Sequence, residues 1–193
     1  MEKDKVVIVG SKEIVSAVSK NLETTDFAIF ASTASANDAF GKINSLFPDL
    51  VIADYNLSDM TGLDFAKTVE SLHICPVIIL ANQTQSDYIN DLKKDALDIF
   101  CISKPINSVS LNHTAYLAVR LTKRIHEYET TIQDLKQQIE NRKIVEKAKG
   151  ILMKKFDMSE NDVYVEMRKK AMNSSKPIEQ IAKTIIEMFK FFE

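Results

Sequence analysis

Five short apolar runs alternate with helical patterns over the first hundred residues, and this alternation constrains the fold more than any other feature. Strands without polar residues are typical of a parallel sheet that is buried on both faces, and the helical segments between them provide the crossovers. The pattern therefore predicts an α/β domain, a doubly wound five-stranded parallel sheet. The predicted strands are Val6–Val9, Phe27–Phe30, Leu50–Ala53, Val77–Leu80 and Ile99–Ile102.

Polar residues follow the carboxyl ends of these strands, the edge at which such sheets bind ligands. They are Gly10, Ser11 and Lys12 after the first strand, Asp54 after the third, Asn82 after the fourth, and Ser103 and Lys104 after the fifth. Over residues 4 to 107 the chain resembles the flavodoxin-like receiver domain of two-component response regulators. The resemblance implies that Asp54 occupies the phosphoacceptor position and that Lys104, followed by Pro105, contacts the phosphoryl group.

The sequence departs from this family at the residues that carry its chemistry. Gly10 and Ser11 replace the acidic pair that holds Mg²⁺, and Ala81 replaces a hydroxyl residue. Because Mg²⁺ needs several oxygen ligands, we expect no bound cofactor, although Glu13 or Thr84 could substitute. Two roles of Asp54 stay open: it is either a phosphoacceptor or a carboxylate that is paired with Lys104 or Lys12. We favour an atypical receiver that takes its signal from a sensor or repressor protein.

The segment after the α/β domain predicts one long helix, because Val109 to Phe156 contains a single glycine and no proline. Heptad spacing over four repeats is typical of a two-stranded coiled coil, and we expect a homodimer through residues 111–139. An amphipathic helix that folds back on its own sheet is the alternative. The positions spaced alternately by three and four are Leu111, Thr114, Ala118, Leu121, Ile125, Tyr128, Ile132, Leu135, Ile139 and Arg142.

Beyond Arg142 the apolar spacing predicts three short helices around one core. Ser159 and Asp162 are spaced as an N-cap pair for a helix from 160 to 172, and Pro177 suits the first turn of the last helix. Met153, Met167 and Met172 are expected in the core. The last helix carries an apolar stripe at Ile178, Ile181, Ala182, Ile185, Ile186 and Phe189.

This module resembles the ANTAR domain of transcription antitermination regulators. The matching residues are Arg142, Ile144, Ala148 to Met153, Ser159, Glu160, Met167, Arg168, Ala171, Met172, Ile181 and Ala182. The resemblance implies binding of paired hairpins in nascent leader RNA, which prevents a terminator hairpin from forming. The domain limits are then 1–107 for the receiver, 108–141 for the coiled coil and 142–193 for the ANTAR domain.

Charge is distributed unevenly along the chain, and this favours a polyanionic partner for the C-terminal part. Residues 141–193 carry 12 Lys and Arg against 8 Asp and Glu, whereas residues 1–140 carry 13 against 19. We expect lysines to bind phosphates and Arg142 and Arg168 to read bases, unless Arg142 pairs with Glu146. The predicted RNA-binding residues are Arg142, Lys143, Lys147, Lys149, Gly150, Lys154, Lys155, Arg168, Lys169, Lys170 and Lys176. Gly150 would allow close approach by RNA or by a neighbouring helix.

Other functional classes fit the sequence less well. No apolar run is long enough to span a bilayer, so we expect a cytoplasmic protein with no membrane partner. His73, His113 and His126 are scattered and Cys75 and Cys101 lack CxxC spacing, which predicts no metal site and two reduced thiols. No nucleophile and base are paired, so we expect no enzyme and no catalytic residues. A protein-binding adaptor and a DNA-binding helix-turn-helix response regulator are the alternatives.

Overall fold

A computed structural model of the protein describes residues 3–22, 26–72, 74–92 and 99–190, which leaves His73 and the last three residues outside the described ranges. The predicted order of strands and helices is confirmed, and the largest difference is that the second strand continues to Thr33. The strands are β1 Asp4–Val9, β2 Phe27–Thr33, β3 Leu50–Asp54, β4 Val77–Ala81 and β5 Phe100–Ser103. The helices are α1 Lys12–Leu22, α2 Ala36–Leu46, α3 Gly62–Ser71, α4 Gln83–Leu92, α5 Ser108–Phe156, α6 Glu160–Asn173 and α7 Ile178–Lys190.

The five strands form one parallel sheet in the order β2-β1-β3-β4-β5, as a doubly wound fold requires. Side chains of alternate strand residues enter two separate cores. One core lies against α2, α3 and α4 and the other against α1 and the start of α5. β3, β4 and the last four residues of β1 are buried on both faces, which explains why these segments contain almost no polar residues. The carboxyl ends of these strands place Gly10, Asp54 and Ala81 at the same edge.

The predicted heptad series of α5 divides into two parts. Leu111 and Ala118 are fully buried against the sheet, so the alternative of packing on the chain's own sheet is correct for the start of α5. From Leu121 to Ile139 each apolar heptad residue is 49–56% exposed. This exposed stripe, defined as Leu121, Ile125, Tyr128, Ile132, Leu135 and Ile139, is the part of the series that is accessible to solvent.

The chain forms two compact units, which divide after His126, and α5 contributes residues to both. α5 begins at Ser108, where the predicted coiled-coil segment begins, and it runs without a break past residue 142, so the predicted limit between 141 and 142 lies inside a helix. In the second unit the ends of α5, α6 and α7 share a core around Ala148, Met167 and Ala182. No helix among the described residues is both long and apolar enough to cross a membrane.

The predicted ends of the short helices follow from their capping residues. The hydroxyl of Ser159 accepts a hydrogen bond from the backbone N–H of Asp162 at 3.2 Å, which confirms the predicted N-cap of α6. Pro177 directly precedes α7, and its carbonyl accepts hydrogen bonds from the backbone N–H groups of Gln180 and Ile181 in the first turn of that helix. The prediction that Met172 lies in the core is wrong, because its side chain is 72% exposed at the outer side of α6.

Candidate functional sites

Asp54 ends β3 as a buried carboxylate that already has a cationic partner. Its Oδ1 accepts a hydrogen bond from Lys104 Nζ at 2.7 Å and a longer one from the backbone N–H of Asn56 at 3.3 Å. Lys104, from the end of β5, is therefore the partner that the structure brings to Asp54, and Lys12 is not. The ammonium of Lys104 therefore neutralises the buried carboxylate.

The residues around Asp54 do not fit a Mg²⁺ site. A Cβ atom added at Gly10 would lie 3.3 Å from the Cβ of Asp54 and 3.0 Å from the side chain of Ile14, so a larger residue has little room there. Ser11 is used locally: its Oγ accepts from the N–H of Ile14, and its hydroxyl lowers the pKa of Glu13. The described residues contain no group of three acidic, His or Cys side chains placed to hold a metal.

Asp59, in the loop between β3 and α3, is a carboxylate that binds the start of α2. Its Oδ2 accepts from the N–H of Asn37 and its Oδ1 from the N–H of Ala36, and these bonds lower its pKa. The hydroxyl of Ser35 also donates to Oδ2 at 2.8 Å. Since unpaired N–H groups and the helix dipole both favour an anion here, Asp59 is a cap that fastens this loop to α2.

Lys149 is one of the predicted RNA-binding cations, and for this residue the prediction is corrected because its side chain is buried and paired. Its side chain is 8% exposed, and its ammonium donates to Glu160 at 2.6 Å and to both oxygens of Glu146 at 2.9 and 3.0 Å. The bond to Glu160, and then the bond to Glu146, raise the pKa of Lys149, while Lys149 lowers the pKa of Glu160. Lys149 therefore links α5 to α6 and does not present a free charge to a polyanion.

The remaining predicted cations of the second unit differ in their partners. Lys143 pairs with Glu140 at 2.6 Å, Lys169 lies 3.8 Å from Glu166, and Lys155 lies over the ring of Phe189. Six others are exposed, and within the described ranges none of these side chains has an ion pair or hydrogen bond: Arg142, Lys147, Lys154, Arg168, Lys170 and Lys176. We call these six residues the free cations.

Two expectations for α5 can be compared with these contacts. Arg142 does not form the alternative pair with Glu146, because the carboxylate of Glu146 is bound to Lys149. A Cβ atom added at Gly150 would meet no atom within 4 Å, so close approach by a neighbouring helix is not the reason for this glycine. Approach by RNA stays a prediction. The backbone at Gly150 is thus open on the side that a Cβ would occupy.

The sequence analysis missed the side chains beside Lys149 on the outer side of α6. Asn161 and Tyr164 line a groove there together with Lys149 and Glu160, and Tyr164 is 43% exposed. Their signal in the sequence is helical spacing, because residues 161, 164 and 168 fall on one face of α6. That face is next to the one that buries Val163 and Met167, and counting charges did not identify it.

The chain is similar to known families over both units. Residues 6–116 match the model of the response regulator receiver domain, and residues 133–186 match that of the ANTAR domain. The transcriptional regulatory protein PdtaR of Mycobacterium tuberculosis (strain CDC 1551 / Oshkosh) is 31% identical over 140 residues, which are 72% of this chain and 68% of that protein.

Other similarities concern the first unit alone. A protein-glutamate methylesterase/protein-glutamine glutaminase of Hydrogenovibrio crunogenus is 28% identical over 59% of this chain but only 31% of that enzyme, and the match is confined to the receiver domain. Among solved structures, the chemotaxis response regulator CheY4 of Vibrio cholerae has a TM-score of 0.51 at 25% identity and covers 60% of this chain and 98% of its own. A receiver domain protein from Clostridium thermocellum, with a TM-score of 0.56 at 18% identity over 63% of this chain and 98% of its own, shows the fold alone.

Proposed function

The chain belongs to the family of response-regulator transcription regulators, here with a receiver domain joined to an ANTAR domain, and we propose that it is an RNA-binding antiterminator. In this proposal the second unit binds paired hairpins in nascent leader RNA and thereby prevents a terminator hairpin from forming. The receiver domain controls that binding.

The observation that carries the proposal is the set of free cations in the second unit. Cations that lack protein partners are available to phosphates, and their binding releases counterions from the nucleic acid. Two of the six are arginines, Arg142 on α5 and Arg168 on α6, and both are exposed. A planar guanidinium can stack on a base and form paired hydrogen bonds to its edge, which an ammonium cannot. We therefore assign affinity to the four lysines and sequence preference to the two arginines.

We further propose that two copies of the chain pair through the exposed stripe of α5. Six apolar side chains at heptad positions, each about half exposed, would be buried by a second helix in a coiled coil. A dimer would carry two RNA-binding units, one for each hairpin of a pair. Two tethered contacts raise the affinity well above that of one contact through effective concentration.

Control by a partner protein, without phosphorylation, is the form of regulation that fits the receiver. Asp54 is bound to Lys104, and neither Gly10 nor Ser11 provides a carboxylate for Mg²⁺. Phosphoryl transfer relies on such a metal to neutralise the developing charge. We infer that the receiver acts without Mg²⁺ and takes its signal from a sensor or repressor protein.

The test of RNA binding compares a labelled two-hairpin leader RNA, a scrambled RNA of the same composition and duplex DNA at two salt concentrations. We expect the protein to select the two-hairpin RNA and to bind it more weakly at high salt. Arg142→Ala should reduce the preference over scrambled RNA, whereas Lys147→Ala, a matched change on the same helix, should weaken both RNAs alike. Equal binding to all three nucleic acids, or binding to none, would contradict the proposal and favour a protein-binding adaptor.

The test of pairing is sedimentation at micromolar concentration with and without RNA. Ile132→Lys places a charge in the exposed stripe and should convert a dimer to a monomer. Gln133→Lys adds the same charge one residue away, off the stripe, and should leave the dimer intact. A wild-type protein that stays monomeric under both conditions would exclude the dimer.

A further inference from the structure

We propose that Tyr164 stacks on an unpaired base of the bound RNA, and that Asn161 and Arg168 contact the edge or backbone of the same nucleotide. This inference rests on the proposed RNA binding and specifies which surface reads the loop. It adds an aromatic side chain to a site that the charges alone would describe as an arginine and several lysines.

The first observation is the position of these residues on α6. Val163 and Met167 are buried in the core of the second unit, at 0% and 1% exposure. Asn161, Tyr164 and Arg168, at i, i+3 and i+7, lie together on a neighbouring face of the helix and are exposed. An exposed aromatic ring offers a face on which an unpaired base can stack.

The second observation is the groove beside Tyr164. Lys149 Nζ lies 6.0 Å from the centroid of the Tyr164 ring, within the range of a cation–π contact. Since Lys149 is itself fixed by Glu146 and Glu160, the ring has a rigid neighbour on α5. Asn161 adds an amide to the wall of the groove, with both donor and acceptor atoms. A ring and an amide at the rim suit a flat heterocycle that carries hydrogen-bonding groups at its edge.

The third observation is the charge of the surrounding surface, which favours RNA over a protein segment. The two acidic side chains of the central part of α6 are engaged elsewhere: Asp162 accepts from Ser159 at 2.6 Å, and Glu166 lies near Lys169. The carboxylate of Glu160 lines the groove, but the ammonium of Lys149 neutralises its charge. Arg168, one turn after Tyr164, is one of the free cations. An aromatic platform next to unpaired cations is the combination that binds unpaired nucleotides.

The test uses an RNA that the full-length wild-type protein enriches from a randomised two-hairpin pool. Binding of this RNA is compared with binding of versions in which one loop base at a time is replaced by an abasic site. Tyr164→Leu keeps an apolar side chain but removes the ring, and Tyr164→Phe keeps the ring. Tyr116→Leu is a control at an exposed tyrosine of the first unit, 53% exposed against 43% for Tyr164. Circular dichroism of each variant checks that the helices are retained.

We expect Tyr164→Leu to lose roughly 5- to 150-fold in affinity, the range for loss of one base–aromatic stack, with an unchanged salt slope. Tyr164→Phe and Tyr116→Leu should bind as the wild type does. At one loop position the abasic RNA should bind wild type and Tyr164→Leu equally, because the stack is then absent from both complexes.

Failure of this inference differs from failure of RNA binding itself. A pool from which no RNA is enriched would remove the proposed function, and the inference with it. Enrichment of an RNA that Tyr164→Leu binds as tightly as wild type would remove the stack and leave the proposed function standing. Loss of regulation in cells by Tyr164→Leu, with RNA affinity intact, would also overturn the inference and assign the groove to a protein partner.

Discussion

The two units each contain a buried ion pair, and the two pairs are reversed in charge. In the first unit the buried partner is the carboxylate of Asp54, and Lys104, 29% exposed, neutralises it. In the second unit the buried partner is the ammonium of Lys149, and the carboxylates of Glu146 and Glu160 are more than half exposed. Both pairs link secondary-structure elements within one unit. The comparison teaches that the buried charge of each unit forms a structural contact, which leaves the exposed cations as the candidates for ligand binding.

The two units also differ in how they use glycine. A Cβ atom added at Gly62 would lie 2.2 Å from the carbonyl oxygen of Asp54 and 2.8 Å from the Cα of Tyr55. At Gly150 the same atom would meet nothing within 4 Å. The first glycine is required by close packing inside the receiver, whereas the second leaves backbone open to an outside partner. The receiver is therefore closely packed around its own groups, whereas the second unit leaves backbone and cations exposed to a partner.

The largest effect is expected from Gly62→Ala, which should lower the free energy of unfolding of the receiver by about 3 kcal/mol, because the contacted atoms are backbone and cannot move aside freely. Gly41→Ala is the matched control, since Gly41 lies in α2 and a Cβ there would meet nothing within 4 Å. Urea unfolding that is monitored by circular dichroism measures the free energy of unfolding of both variants. A Gly62→Ala protein as stable as wild type would show that the loop between β3 and α3 can yield.

The next effect concerns the free cations. Lys154→Ala with Lys170→Ala should make the slope of log affinity against log salt shallower by about 1.5, which at 0.1 M salt corresponds to about 30-fold weaker RNA binding, or about 2 kcal/mol. Lys12→Ala with Lys20→Ala removes two exposed lysines of the receiver and should leave the slope unchanged. A similar loss of RNA affinity in both double variants would mean that RNA contacts both units. The contrast between the two units would then be wrong.

The sequence predicts the elements well because they depend on local patterns. Unbroken apolar runs identify β1, β3 and β4, and the Ser159 cap fixes the start of α6 to within one residue. What the patterns could not provide is the identity of the surface that each element contacts. The heptad series looks uniform in the sequence, yet Leu111 is buried on the sheet and Ile132 is exposed.

The candidate site was predictable in part for the same reason. Charge counting found the exposed arginines, and the structure leaves Arg142 and Arg168 without protein partners in the described ranges. It also selected Lys149, whose burial depends on Glu160 from the next helix. No spacing rule within one helix reveals such a contact between helices. Tyr164 was missed because counting charges passes over an uncharged aromatic residue, although residues 161, 164 and 168 share one helical face.

A stabilising effect is expected from Gly150→Ala. Alanine in mid-helix is favoured over glycine by about 1 kcal/mol, and no neighbouring atom opposes the added methyl group. The melting temperature should therefore rise, while affinity for RNA should fall because the methyl group blocks close approach to the backbone. Thermal unfolding and RNA titration of the same preparation separate the two effects. An unchanged affinity would exclude contact between RNA and the backbone at Gly150.

The contact between α5 and α6 should show a pH-dependent contribution to stability. Lys149 lowers the pKa of Glu160, so this contribution is present above the ordinary value of 4.5 and is lost as the pH falls through the lower folded value. The pKa of Lys149 is raised, so its contribution is present below 10.5 and is lost at higher pH. Thermal unfolding of Lys149→Met should differ from wild type most between these values and converge with it at both extremes.

Lys147→Met is the matched control for that experiment, because Lys147 is exposed and has no ion pair among the described residues. Its melting temperature should follow wild type at every pH. The effect of Lys149→Met should stay smaller than that of Gly62→Ala, since both carboxylate partners are largely solvated and water replaces the lost ammonium. A constant difference between Lys149→Met and wild type across the pH range would assign the role of Lys149 to packing.

The smallest expected effect on RNA binding is from Asp54→Asn, and it should be zero. The amide keeps an acceptor for Lys104 Nζ, so the end of β5 stays attached to β3, while the nucleophilic carboxylate is lost.

Treatment of wild type with acetyl phosphate and Mg²⁺ should likewise leave RNA affinity unchanged, because Gly10 and Ser11 offer no carboxylate to hold the metal. Mass spectrometry of the treated protein shows directly whether a phosphoryl group has been added. If the mass increases and RNA affinity changes in wild type but not in Asp54→Asn, then Lys104 yields to a phosphoryl group, and the receiver is a conventional switch whose buried pair is its resting state.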